Sequence, residues 1–164
     1  MRGFTVFGAR IPRGSIEDTL RKLQEFARLH GGEAQMLDAT AVFGRDHLRS
    51  AFEHAARSRG RGTAVASSLA VEFLRYAAGE RRIDRAIERI GAKAGSPVVV
   101  VLFGTMRPTA SAKACGLVRD DRVLTRSGPS LRRFGITNQE EQALPRAMAN
   151  DLVLERVALA DLGR

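Results

Sequence analysis

The period of the apolar positions changes several times along the chain, and each change marks an element. Residues 4–9 alternate enough to predict an opening strand, stopped by Pro12, Arg13 and Gly14. Leu20, Leu23, Phe26, Ala27 and His30 then recur at helical spacing. Ser15 is placed to cap that helix, with Glu17 and Asp18 in its first turn, and Gly31 and Gly32 end it. Residues 34–37 predict a second short strand. Leu48, Ala51, Phe52, Ala55 and Ala56 form the apolar face of a helix capped by Asp46, and residues 57–62 read as a polar loop. Ser67 or Ser68 caps a helix with Val71, Leu74 and Ala78 inward, closed by Gly79. A shorter helix over residues 81–90 is expected to bury Ile83, Ala86, Ile87 and Ile90, with Gly91 at its end.

Residues 98–103 are β-branched and apolar without interruption, which predicts a strand buried on both faces at the centre of a sheet. Residues 111–115 suit a helix, Asp120 and Asp121 an acidic turn, and residues 130–134 a short helix stopped by Gly135. Thr137 with Glu140 three residues later is a capping box. The run 152–159 fits a helix or a strand. No repeat and no long linker divides the chain, so residues 1–164 predict one α+β domain, a small mixed or antiparallel sheet packed with several helices.

Composition narrows the function classes. The chain has 164 residues, 44% hydrophobic and 27% charged, as an ordinary globular domain does. Its apolar runs fall short of the ~18 residues of a membrane span, and no charged-then-apolar leader opens it. One cysteine, Cys115, makes neither an internal disulfide nor a zinc knuckle, so a reducing cytoplasm is the expected setting. The net charge is +9, and all but three of the 27 basic residues are arginine. The planar guanidinium fork suits phosphate, which points to an acidic polymer as partner, although an arginine-rich genome explains the ratio to lysine equally well. The excess is uneven. Residues 44–91 carry ten basic side chains against six acidic, residues 105–133 seven against two, and residues 134–164 three against five. That split allows two faces with different partners.

Catalytic constellations are scarce. No glycine-rich phosphate loop and no dinucleotide fingerprint occurs. His47 and His54 lie seven apart, too far for a paired metal site on a helix, and read as packing or solvated histidines. Cys115 reads as a small buried thiol. Glu140 and Glu141 suit capping better than acid–base work. The expectation is a protein that is not an enzyme, with no cofactor and no metal. The concentrated feature is the segment around Tyr76. Arg82, Arg85 and Arg89 line one face of the short helix, and Arg81 stands at its start just after the glycine turn. Guanidinium planes and an aromatic ring are what a splayed single-stranded nucleic acid end uses for stacking and phosphate contact. The other reading is that Glu80, Asp84 and Glu88 merely pair with these arginines on a solvated face.

The segment Tyr76-Ala77-Ala78-Gly79-Glu80-Arg81-Arg82-Ile83 followed by Ala86-Ile87 resembles the signature of the small kinase-binding subunit of the KEOPS complex, the PRPK-binding protein family of archaea and eukaryotes, here of archaeal type. Arg82 stands where the family usually has Gln. Phe43-Gly44-Arg45-Asp46-His47-Leu48 is similar to the family's Gly-x-x-His-Leu helix start, Glu72 lies in its Ser-x-Glu region, and residues 134–137 and 152–162 are similar to its closing segments. The resemblance implies a noncatalytic subunit. It would dock on and activate the complex's kinase/ATPase subunit and, through it, meet the transferase that makes threonylcarbamoyladenosine in tRNA. It would also bind the CCA 3′ end of tRNA. On that basis Arg81, Arg82 and Arg85 are assigned to tRNA, with Tyr76 as a stacking platform and Arg45 and Arg49 as supporting charge. Leu154, Val157 and Leu159 are assigned to the kinase, the alternative being that they complete the core. A free-standing RNA-binding domain without a kinase partner is the other functional reading.

Overall fold

A computed structural model describes residues 3–125 and 131–162. Its centre is β3 (Val98–Phe103), every residue of which is buried, as an unbroken apolar strand requires. β3 lies between β1 (Phe4–Arg10) and β2 (Glu33–Asp38), and β4 (Val118–Arg119) adds to the free side of β1, giving the order β2-β3-β1-β4. All pairings are antiparallel, with Val6 opposite Val101 and Met36 opposite Val100.

Alternation along the strands splits the core in two. Val98, Val100 and Leu102 join Phe7, Met36 and Leu23 on the face covered by α1 (Ile16–Leu29) and α5 (Pro108–Cys115). Val99, Val101 and Phe103 point the other way. They meet the layer built from α2 (Gly44–Gly60), α3 (Leu69–Ala77), α4 (Ile83–Ile90) and α7 (Ala149–Ala158). The remaining short helix, α6 (Asn138–Gln142), carries the predicted capping box of Thr137 and Glu140. One antiparallel sheet with helices on both faces makes the α+β class.

Several local expectations are corrected. α2 starts at Gly44 with no side-chain cap bond, so Asp46 lies inside its first turn rather than capping it. The same helix runs through most of the stretch read as a polar loop, because Ser58 turns inward to bond Glu72 while its arginines stay in solvent. The strand-or-helix ambiguity at 152–159 resolves as the helix α7. Ile87 is not part of a buried stripe; it is 54% exposed, leaving Ala86 and Ile90 to anchor α4. Of the short helix expected at 130–134, residues 131–134 form a 3₁₀ turn, while Ser130 lies outside the described residues.

Candidate nucleic-acid and partner interface

The site is organised by the turn between α3 and α4. Gly79, at φ +64°, takes the left-handed position after α3: its N–H donates to the Tyr76 carbonyl and that of Glu80 to the Arg75 carbonyl. This double bond pattern is a Schellman closure, which only glycine adopts without strain. It points Glu80 back toward α4, where its carboxylate meets Arg89 at 2.5 Å. α4 then presents Arg82 and Arg85 to solvent and keeps Arg89 half-withdrawn, its Nη1 donating to the Ala78 carbonyl at 2.8 Å.

A groove of about 490 Å³ runs along this face, lined by Glu80, Arg82, Arg85, Glu88, Arg89 and Arg133. Arg133 comes from the 3₁₀ turn Leu131–Phe134, where it also holds Asp38 at 2.8 Å and Thr40 at 2.9 Å. The sequence reading missed its part in this site; its only signal was the basic segment 105–133. The carboxylates do pair with the arginines, as the alternative reading had it: Arg82 with Asp84 at 2.7 Å and Arg85 with Glu88 at 3.3 Å. Arg82 holds the Asp84 carboxyl below its usual range. Both pairs are largely exposed, so each is weak and open to exchange with another anion. Arg81 is exposed and has no ion-pair partner among the described residues. Arg45 and Arg49 are exposed on α2 and do not line the groove; Arg45 instead borders a separate cleft of about 330 Å³ between the starts of α2 and α7.

Tyr76 is not a platform. Its ring is 1% exposed, with the Arg75 guanidinium 4.6 Å from its centroid and His54 stacked at 5.5 Å. Its hydroxyl donates to Asp161. Burial, and then that bond, push the phenol pKa up. The same knot holds Arg75, fully buried, against Glu72 at 2.8 Å and Asp161 at 2.9 Å. Burial alone would raise the Glu72 carboxyl, but Arg75, the Ala66 N–H and Ser58 outweigh it and hold it low. A helical tyrosine before a glycine turn gives no signal of direction from sequence; the inward partner, Asp161, is 85 residues away.

The three closing-segment residues separate. Val157 is fully buried and belongs to the core, as the alternative reading had it. Leu154 is half-buried and lines the cleft beside Phe43 and Asn150. Leu159, 40% exposed, and Leu162, 68% exposed, border a pocket of about 580 Å³ with Phe134, Gly79 and Arg156. That pocket shares Glu80 and Arg89 with the arginine groove, so an apolar and a cationic surface adjoin.

Elsewhere the candidate chemistry is structural. His47 is buried, its Nδ1 accepting from the Phe43 N–H at 3.1 Å and its Nε2 on the Ala77 carbonyl at 2.8 Å. Cys115 is buried, and burial raises its thiol pKa. Among the described residues no cluster of three metal-ligating side chains forms, and no helix is long and apolar enough to cross a membrane.

Comparison with known proteins gives one assignment. No individual curated protein matches the chain. The family model described as kinase binding protein CGI-121 matches residues 17–160, from the first turn of α1 through the end of α7. Nearly the whole fold, including the α3–α4 turn and the closing helix, is therefore shared with that family, and the chain belongs to the CGI-121 family of kinase-binding proteins.

Proposed function

We propose that this protein is the noncatalytic kinase-docking subunit of the cytoplasmic KEOPS machinery that makes threonylcarbamoyladenosine in tRNA. In this reading it binds and activates a PRPK-like kinase/ATPase subunit, reaches the transferase through it, and holds the single-stranded CCA end of tRNA. The observation that carries the reading is the adjacency of the arginine groove on α4 and the exposed leucines of the closing segment. Arg82 and Arg85, with the exposed Arg81 beside them, offer phosphate contacts; Leu159, with Leu162, offers an apolar contact for a protein. Leu154 extends the docking surface, and Arg45 and Arg49 add long-range attraction to RNA. A common tail needs no sequence discrimination, so phosphate and stacking contacts suffice for it.

Two experiments test the two halves. The double variant Arg81→Glu, Arg82→Glu is expected to lose measurable binding to tRNA carrying its CCA end at physiological salt. At low salt, the slope of log affinity against log salt should fall by about 2. An unchanged salt slope and affinity in a folded double variant would remove RNA contact from this face. Leu159→Glu alters a side chain already 40% exposed, so the fold should tolerate it. Co-purification with the kinase is expected to drop by about tenfold or more. Retention at the wild-type level would move docking elsewhere on the chain, and tRNA binding that persists with no kinase association at all would favour the free-standing RNA-binding reading.

A further inference from the structure

Arg89 differs from its neighbours on α4. Its side chain is only 22% exposed, where those of Arg82 and Arg85 are 72% and 60% exposed. It is held in place by the Ala78 carbonyl and lies 6.0 Å from the Phe134 ring centroid. Burial disfavours its charge and the nearby Arg156 repels it, while Glu80 is the main carboxylate that offsets both. Arg156 has its own partner, Glu140, at 2.7 Å. The Glu80 carboxylate therefore pairs with Arg89 inside a groove that Arg82, Arg85 and Arg133 also line. It is also the acidic group common to the groove and the apolar pocket beside it.

A carboxylate in that position occupies the place an incoming phosphate needs. We propose that the groove is a phosphate site for the end of a single-stranded RNA, and that Glu80 is its built-in competitor, displaced from Arg89 when the phosphate binds. This rests on the RNA-binding reading above and adds to it Arg89 as the anchoring arginine, and a gate. The chemistry favours the exchange. A phosphodiester carries the same single charge as Glu80, and because it is not tethered to the α3–α4 turn it can settle between Arg89 and the exposed Arg82 and Arg85. Glu80 is 25% exposed and can turn into water after release. The gate has a purpose as well: without it two half-buried guanidiniums, Arg89 and Arg156, face each other with less compensation in the unliganded protein. Because Glu80 also borders the pocket of Leu159 and Leu162, its release alters the apolar surface next to the RNA.

The test compares Glu80→Gln with Glu25→Gln. Glu25 also pairs with an arginine, Arg28 at 2.7 Å, but in solvent and on the helix layer covering the opposite face of the sheet, so it controls for the change of charge alone. Both variants remove one negative charge. The titrants are a labelled single-stranded RNA ending in CCA and, separately, inorganic phosphate. Glu80→Gln is expected to bind the RNA about three- to tenfold more tightly than wild type, with Glu25→Gln close to wild type. Equal gains in both variants, or none in Glu80→Gln, overturn the gate. If neither wild type nor variant binds RNA but Glu80→Gln alone gains affinity for phosphate, the site stands as one for a free phosphate and the RNA reading fails. If nothing binds either titrant, both fail.

Discussion

Replacing Arg75 with leucine is expected to destabilise the fold by about 3–5 kcal/mol, the range for removing one partner of a buried ion pair. Neither Arg75 nor Glu72 has exposed side-chain surface. The loss would leave the Glu72 carboxylate buried with only the Ala66 N–H and the Ser58 hydroxyl to satisfy it, and would free Asp161 from the guanidinium that ties the last turn to α3. For a chain of this size the melting temperature should fall by roughly 10 °C or more. Urea unfolding followed by circular dichroism measures it. A cost below about 1 kcal/mol would mean that water reaches Glu72 in the native state. The double variant Arg75→Met, Glu72→Leu should recover part of the loss, since removing both charges removes the orphan.

The second large effect is a pH dependence, and it belongs to His47. Burial lowers the pKa of this imidazole from 6.5 to about 4, against a smaller upward effect of its bond to the Ala77 carbonyl. The geometry gives the reason in atoms. Nδ1 already accepts the Phe43 N–H, so Nε2 carries the ring proton and donates to Ala77, and a second proton would face a donor. The unfolded chain takes up that proton from about pH 6.5 downward and the folded chain only near 4. The contribution is therefore fully present above pH 6.5 and is lost as pH falls through this window, by about 3 kcal/mol in all. Stability measured between pH 7 and 4 should decline accordingly, and His47→Gln should flatten the decline. An unchanged slope in that variant would assign the acid sensitivity to other groups. Glu140, held down at about 2 first by the Thr137 N–H and then by Arg156, acts at lower pH and does not overlap most of the window.

Much of the fold was legible because its signals are local. Ser15 and Ser68 cap the helices they precede, each accepting from the N–H three residues on. Val98–Phe103 reads as a central strand because no polar residue interrupts it, and a helix layer on each side of the sheet explains why. The errors came where a polar side chain turned inward to a distant partner. Ser58 extends α2 through a loop-like composition by bonding Glu72, and Tyr76 is drawn into the core by Asp161. Arginine content and helical phase located Arg82 and Arg85 on the groove. They could not add Arg133, which is set beside α4 by its bonds to Asp38 and Thr40, residues of the β2 end and the turn after it. The resemblance of the closing segment also treated Leu154, Val157 and Leu159 as one group, although they lie respectively at a cleft, in the core and at the apolar pocket.

The strand order has a consequence for how the chain can fold during synthesis. β1 pairs with β3 and β4, and β2 pairs with β3; the first two strands never pair with each other. No ladder can therefore close until residue 103 has left the ribosome, which at ~5–20 residues per second is several seconds after β1 emerges. Until then Phe4, Val6 and Phe7 wait without a partner strand, with only nascent helices to shelter them. Such long-range pairing carries a large loop-closure cost before any reward, so the sheet should form late and slowly, as a single step around β3.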